Sequence, residues 1–338
     1  MSSNLRDHEF DQALEAIATE DITTEEKVEM LMQIAMGLQN KPKSPIQLHN
    51  AVTLYDKALE LCPPGEALHI ARINARKATA LQAIPDDGSD HLERARIALE
   101  SAIPDLGKHG IPEEHAEAEM NLGLVIQSLC GFNQALIQDA INAYQRALKA
   151  FTRDAFPAEF AIIHNNLATA FLSMQTNSDT GKMREALAVQ SFQEALSVVS
   201  MTDQPTEYAM LQNNLGNALQ SVRSGHSVEN NLRALDAYDE ALRVRTLADT
   251  PLEYANTICN KANCICALPD DLEHPDKGNR QNLRDALALY QQAQTVFEQF
   301  GELGKAQMIK EMITGLEADV GTGHAGSREG KGFGASRI

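Results

Sequence analysis

The sequence predicts an all-α solenoid of about six antiparallel helix pairs. Three observations predict it: a segment recurs about every 47 residues, each copy carries two separate residue columns, and apolar residues in both halves fall at helical spacing. Self-similarity at a period of 20–50 residues marks stacked units rather than one globular core.

The first half of each copy opens alike. "PAEFAIIHNNLATAFLSM" starts at Pro157, "PTEYAMLQNNLGNALQSV" at Pro205, "PLEYANTICNKANCICAL" at Pro251 and "PEEHAEAEMNLGLVIQSL" at Pro112, with a weaker copy, "PGEALHIARINARKATAL", at Pro64. One column holds Asn74, Asn121, Asn166, Asn214 and Asn260, with spacings of 47, 45, 48 and 46. In the fifth copy Leu211, Leu215, Ala218 and Val222 cluster within about 60° around a helix. Proline at the first helical position lacks only an N–H that has no partner there. Glu66, Glu114, Glu159, Glu207 and Glu253, two residues on, face the positive end of the dipole.

The second half has its own column. Tyr55, Leu99, Tyr144, Phe192, Tyr238 and Tyr290 each stand three residues before an alanine: Ala58, Ala102, Ala147, Ala195, Ala241 and Ala293. A helix pair of this length cannot bury its own apolar face, so neighbouring pairs must stack on it. Gly123, Ala168, Gly216 and Ala262 are the small residues expected to let a partner helix approach. In the first copy Met36-Gly37 is expected to fill that slot. In the second, Arg76 stands where a small residue is expected.

The paired pattern "NNLGNAL…ALDAYDEAL" resembles the tetratricopeptide repeat family, whose unit has a Leu-Gly pair in its first helix and an aromatic residue three before an alanine in its second. The match covers roughly residues 25–300. The family's common unit is 34 residues. The extra length here falls between the two helices, as in "SGHSVENN" (224–231) and "PDDLEHPDKGNRQN" (269–282), and with "NNL" it resembles the long-unit, kinesin-light-chain-like branch. The resemblance implies a right-handed superhelix with the first helices on its concave face. Expected boundaries are a capping helix over 1–22, six repeats over 23–300, a second capping helix over 301–320 and a flexible glycine-rich tail over 321–338.

The resemblance also implies that the asparagine just before the Leu-Gly pair contacts peptide; Asn121, Asn166, Asn214 and Asn260 match that position. Asn165, Asn213, Asn217 and Asn263 join them in an expected polar ladder, with Asn213 and Asn217 on the far side of the helix from its apolar cluster. An amide offers donors and an acceptor, which suits gripping an extended main chain. A second role stays open: the column sits at the edge of the apolar face and can hydrogen-bond a neighbouring repeat instead.

Composition narrows the function. Net charge is −18, from 29 basic and 47 acidic residues, which disfavours nucleic acid and anionic membrane. The first residues hold no basic stretch leading into an apolar run, and no stretch is long and apolar enough to span a bilayer, so the chain is expected to be cytoplasmic. No phosphate loop or His-Glu-x-x-His occurs, and neither a cofactor, a metal nor catalysis is expected. The expected partner is a protein or peptide; the basic tail, with Arg328, Lys331 and Arg337, is a candidate for intramolecular contact. The alternative is a maturation chaperone for a specific enzyme, linked to a metal or to redox state through Cys259, Cys264 and Cys266. Cys-x-Cys side chains on a helix point about 200° apart and do not converge on one ion.

Overall fold

The computed structural model describes residues 22–85, 88–174, 180–222 and 226–322, with Phe10 and Leu14. The glycine-rich tail beyond Thr322 and nearly all of the expected N-terminal cap therefore lie outside the described residues, and the last helix takes in Gly321 and Thr322. The chain divides into two compact units, Met1–Asn166 and Leu167–Ile338. Among the described residues there are helices and no strands.

The first unit holds α1 (Thr24–Asn40), α2 (Pro45–Leu61), α3 (Ala67–Gln82), α4 (Asp90–His109), α5 (Pro112–Cys130) and α6 (Ile137–Ala147). The division falls inside α7 (Pro157–Ser173). The second unit continues with α8 (Thr180–Leu196), α9 (Pro205–Ser221), α10 (Ser227–Leu242), α11 (Pro251–Cys266), α12 (Arg280–Gln299) and α13 (Leu303–Thr322). Consecutive helices pack as pairs. First helices of adjacent repeats also touch, α1 with α3 and α3 with α5 in the first unit, α9 with α11 in the second. No two second helices approach comparably among the described residues, so within each unit the first helices line the inner side.

Local sequence explains the ends of these helices. Thr23 and Glu26 form a capping box at α1, with Thr23 N–H donating to Glu26 Oε2 at 2.8 Å and Glu26 N–H to Thr23 Oγ1 at 3.2 Å. Proline opens α2, α5, α7, α9 and α11. Pro64 instead lies in the turn before α3, which begins only after Glu66. Before α9 and α11 the chain makes the same turn twice: Ser200 Oγ accepts from Asp203 N–H at 3.1 Å, and Thr246 Oγ1 from Asp249 N–H at 3.0 Å.

The second-helix column is the core. Tyr55, Leu99, Tyr144 and Tyr238 are 0% exposed, Phe192 and Tyr290 1%, and all six alanines three residues on are 0%. Each such aromatic side chain removes enough apolar area from water to stabilise by about 1.5–3 kcal/mol. Gly123 and Gly216 lie under Tyr144 and Tyr238 so closely that an added Cβ would meet the ring at 2.5 Å in each case.

Two register expectations are corrected. Gly37 is exposed with nothing within 4 Å of an added Cβ, whereas Ala35 is fully buried; Ile34-Ala35, not Met36-Gly37, fills the Leu-Gly slot of the first repeat. In the second repeat the buried residues Ala71, Ile73, Ala78 and Leu81 match Ala116, Ala118, Gly123 and Ile126 one repeat later. Ala78 is thus the small residue, and Arg76 stands exposed in the slot of Asn121.

Candidate protein-interaction surface

Burial on the first helices follows contact with two neighbours, the repeat's own second helix and the next first helix. On α9 that places Leu211, Leu215, Gly216, Ala218 and Leu219 in the core. It also buries Asn213, at 8% exposed, more deeply than the half-buried Asn214 and Asn217. Asn213, expected on the side of the helix away from its apolar cluster and so exposed, is instead buried. Geometry on an isolated helix misses α11, which covers Asn213.

The amides of the second unit form a connected network. Asn260 Nδ2 donates to Asn213 Oδ1 at 3.2 Å, linking α11 to α9. Gln220 Nε2 donates both to the Asn260 carbonyl at 3.2 Å and to the Tyr238 hydroxyl at 2.6 Å. That hydroxyl donates onward to Asn217 Oδ1 at 2.7 Å. Tyr290 donates likewise to Asn263 Oδ1 at 2.5 Å, and Lys305 Nζ reaches Asn256 Oδ1 at 3.5 Å. Burial pushes the Tyr238 and Tyr290 hydroxyls well above the usual phenol range, so both remain donors.

In the first unit, Asn121, Asn165 and Asn166 are half-buried on the corresponding helices. Asn165 Nδ2 donates to Asn166 Oδ1 at 3.3 Å. The structure therefore brings Asn213, Asn217 and Asn260 into one network and pins Asn263 separately.

A tie between tyrosine and amide escaped the reading of the sequence. Tyr55 donates to Gln39 Oε1 at 2.9 Å and Tyr144 to Gln127 Oε1 at 3.0 Å. Gln39, Gln127 and Gln220 each stand four residues after the small-residue slot, whereas Asn217 and Asn263 stand one after it. Where the second helix carries Phe192, which has no hydroxyl, those slots hold Thr169 and Leu172. The pairing of glutamine or asparagine with tyrosine, and of leucine with phenylalanine, is readable once the slots are known.

The cysteines of α11 are packed. Cys259 and Cys264 are 0% exposed and burial pushes both thiols up to about 12; Cys266 is half-buried. Cys264 Sγ lies 3.1 Å from the Asn231 carbonyl as a donor. Among the described residues no group of three His, Cys, Asp or Glu side chains is placed to hold a metal ion. No described helix is long and apolar enough to cross a membrane.

Helix order and contacts together define an all-helical protein of stacked helix pairs. No family model matches the sequence, and no curated protein matches it. Among solved structures the chain is similar to BtubC (BKLC) from P. vanneervenii, at 19% identity over 70% of this chain and 87% of that one, with a TM-score of 0.49. It is similar also to a Rap protein complexed with Competence and Sporulation Factor, at 12% identity over 92% and 80% and a TM-score of 0.44. A third is the TPR2AB-domain:pHSP90 complex of yeast Sti1, at 14% identity over 87% and 99% and a TM-score of 0.30.

Proposed function

We propose that this chain is a non-enzymatic interaction scaffold of tetratricopeptide type, whose inner faces hold an extended peptide or partner segment. Asn121, Asn165 and Asn166 serve the first unit, and Asn213, Asn214, Asn217, Asn260 and Asn263 the second. The observation that carries this reading is the network joining Asn213, Asn217, Gln220, Tyr238 and Asn260. Amides already held in one rotamer lose little further entropy on binding. Amides also suit main-chain recognition, because they meet both the N–H and the carbonyl of a partner.

The test is site-specific photo-crosslinking in the full chain, in cells that express it. A benzophenone side chain at Asn214, on the inner face, is compared with one at the exposed Gln190 on second helix α8. Expected is a discrete crosslinked partner at 214 that is absent at 190, and at least about tenfold weaker binding of that purified partner by Asn214→Ala. Partners captured at 190 and never at 214 would overturn the reading.

A further inference from the structure

A cavity lies in the first unit, where the second helices α4 and α6 flank the first helix α5. Helical spacing assembles it: Arg96 and Glu100 stand one turn apart on α4, Asp139, Asn142 and Arg146 share a face of α6, and Leu122 and Ile126 are one turn apart on α5. They surround a cavity of about 300 Å³, walled by α4 and α6 and floored by α5.

Its two guanidiniums are already engaged. Arg146 donates through Nε and Nη2 to the buried carboxylate of Glu119 at 2.6 and 2.8 Å, and Arg96 Nη2 pairs with Glu93. Glu100 and Asp139 are exposed and make no salt bridge among the described residues. Counted together with Glu93 and Glu119, which pair with the two arginines, the charges around the cavity sum to −2, with Asp139 within electrostatic reach of Arg146. Arg96 Nε, in the same wall, is buried with no hydrogen-bond partner.

We propose that this cavity is a pocket for the basic side chain, lysine or arginine, of a partner protein segment. The stem lies on Leu122 and Ile126 while the cationic head meets Glu100 and Asp139. The volume stands at the lower end for ligand sites, the scale of a side chain rather than a large cofactor. Glu100 and Asp139 repel an anionic occupant, and an apolar one desolvates them without return. The net charge of −18 favours basic partners at longer range.

The test titrates the full chain with N-acetyl-lysine-N-methylamide and its arginine analogue. Binding is followed by NMR at the Arg96 Nε–H and Asn142 side-chain amide signals, with norleucine and glutamate analogues as comparisons. Expected are saturable shifts with the basic probes alone, weaker at high salt. Affinity should fall about tenfold in Glu100→Gln/Asp139→Asn and hold in Glu117→Gln, an exposed carboxylate on α5 outside the cavity. All three substituted carboxylates are exposed, and an unchanged melting temperature checks that each variant folds. No shift, equal shifts with norleucine, or undiminished lysine binding by the double variant would each overturn the pocket. None of these outcomes bears on the amide-lined inner faces.

Discussion

Gly216 lies beneath Tyr238, with the tyrosine Cε1 2.5 Å from where a Cβ on the glycine would stand. The same relationship, at the same distance, joins Gly123 to Tyr144. Two repeats in different units have thus solved one packing problem identically.

Gly216→Ala and Gly123→Ala should therefore destabilise. Alanine gains roughly 1 kcal/mol of helix propensity, but overpacking against a fully buried ring costs about 1–3 kcal/mol. Gly37→Ala, with open space around it, should stabilise by about 0.5–1 kcal/mol. Denaturant melts of the three variants check the contrast. Equal stabilisation by all three would show that the tyrosine rings yield easily.

Tyr238→Phe removes the donor to Asn217 Oδ1 and leaves Gln220 Nε2 with the Asn260 carbonyl alone, and in this part-buried site should cost about 1–3 kcal/mol. The converse applies at Phe192, which is 1% exposed. Phe192→Tyr alone should destabilise, and adding Leu172→Gln should recover most of the loss by supplying the amide found in the other repeats. A double-mutant cycle on chemical denaturation measures the coupling.

Much of this was legible in the sequence, and the limits have a physical pattern. Tyr238, Ala241 and Gly216 were readable because burial within one pair depends on that pair's own periodicity. The exposure of Asn213 was not, because α11 covers it, and α11 belongs to the next repeat. The first repeat was misregistered because Met36-Gly37 copies the local letters while Ile34-Ala35 meets the packing requirement. The cavity between α4 and α6 was invisible for the same reason: its walls come from different repeats, and no single stretch contains it.

Alkaline pH should weaken the fold. Burial raises the Tyr55 hydroxyl and the Cys259 and Cys264 thiols to about 12, from reference values of 10.0 and 9.0. A group whose folded value is raised contributes fully below its unfolded value and loses that contribution as pH climbs to the folded one. Stability should hold up to about pH 9 and fall between pH 9 and 12, as equilibrium unfolding in urea across that range would register. At pH 8 native protein should alkylate at Cys130 and Cys266 before Cys62, Cys259 and Cys264, in the order of exposure. Peptide mass mapping after brief iodoacetamide treatment reads that order; fast labelling of Cys259 would contradict its burial.

Arg245 donates to Thr257 Oγ1 at 2.9 Å, and burial lowers its pKa. One repeat earlier the matching positions are the buried Val199 and Leu211. Arg245→Val/Thr257→Leu should raise stability by about 1 kcal/mol or more, since an apolar pair carries no desolvation cost. Arg245→Val alone should recover less. A destabilised double variant would mean that the guanidinium makes up its cost through the Thr257 bond.

The bond from Asn260 to Asn213 bears on how near-identical neighbours find their proper places. Tandem copies invite misassembly, because a helix from one copy can dock where another belongs. Glycine, alanine and leucine contacts scarcely distinguish such exchanges. The paired amides, with Gln220 held to the Asn260 carbonyl, do. An intruding helix without asparagine at that point leaves a buried Asn213 oxygen unsatisfied, so α11 carries an address that fits beside α9 and reads as an error elsewhere.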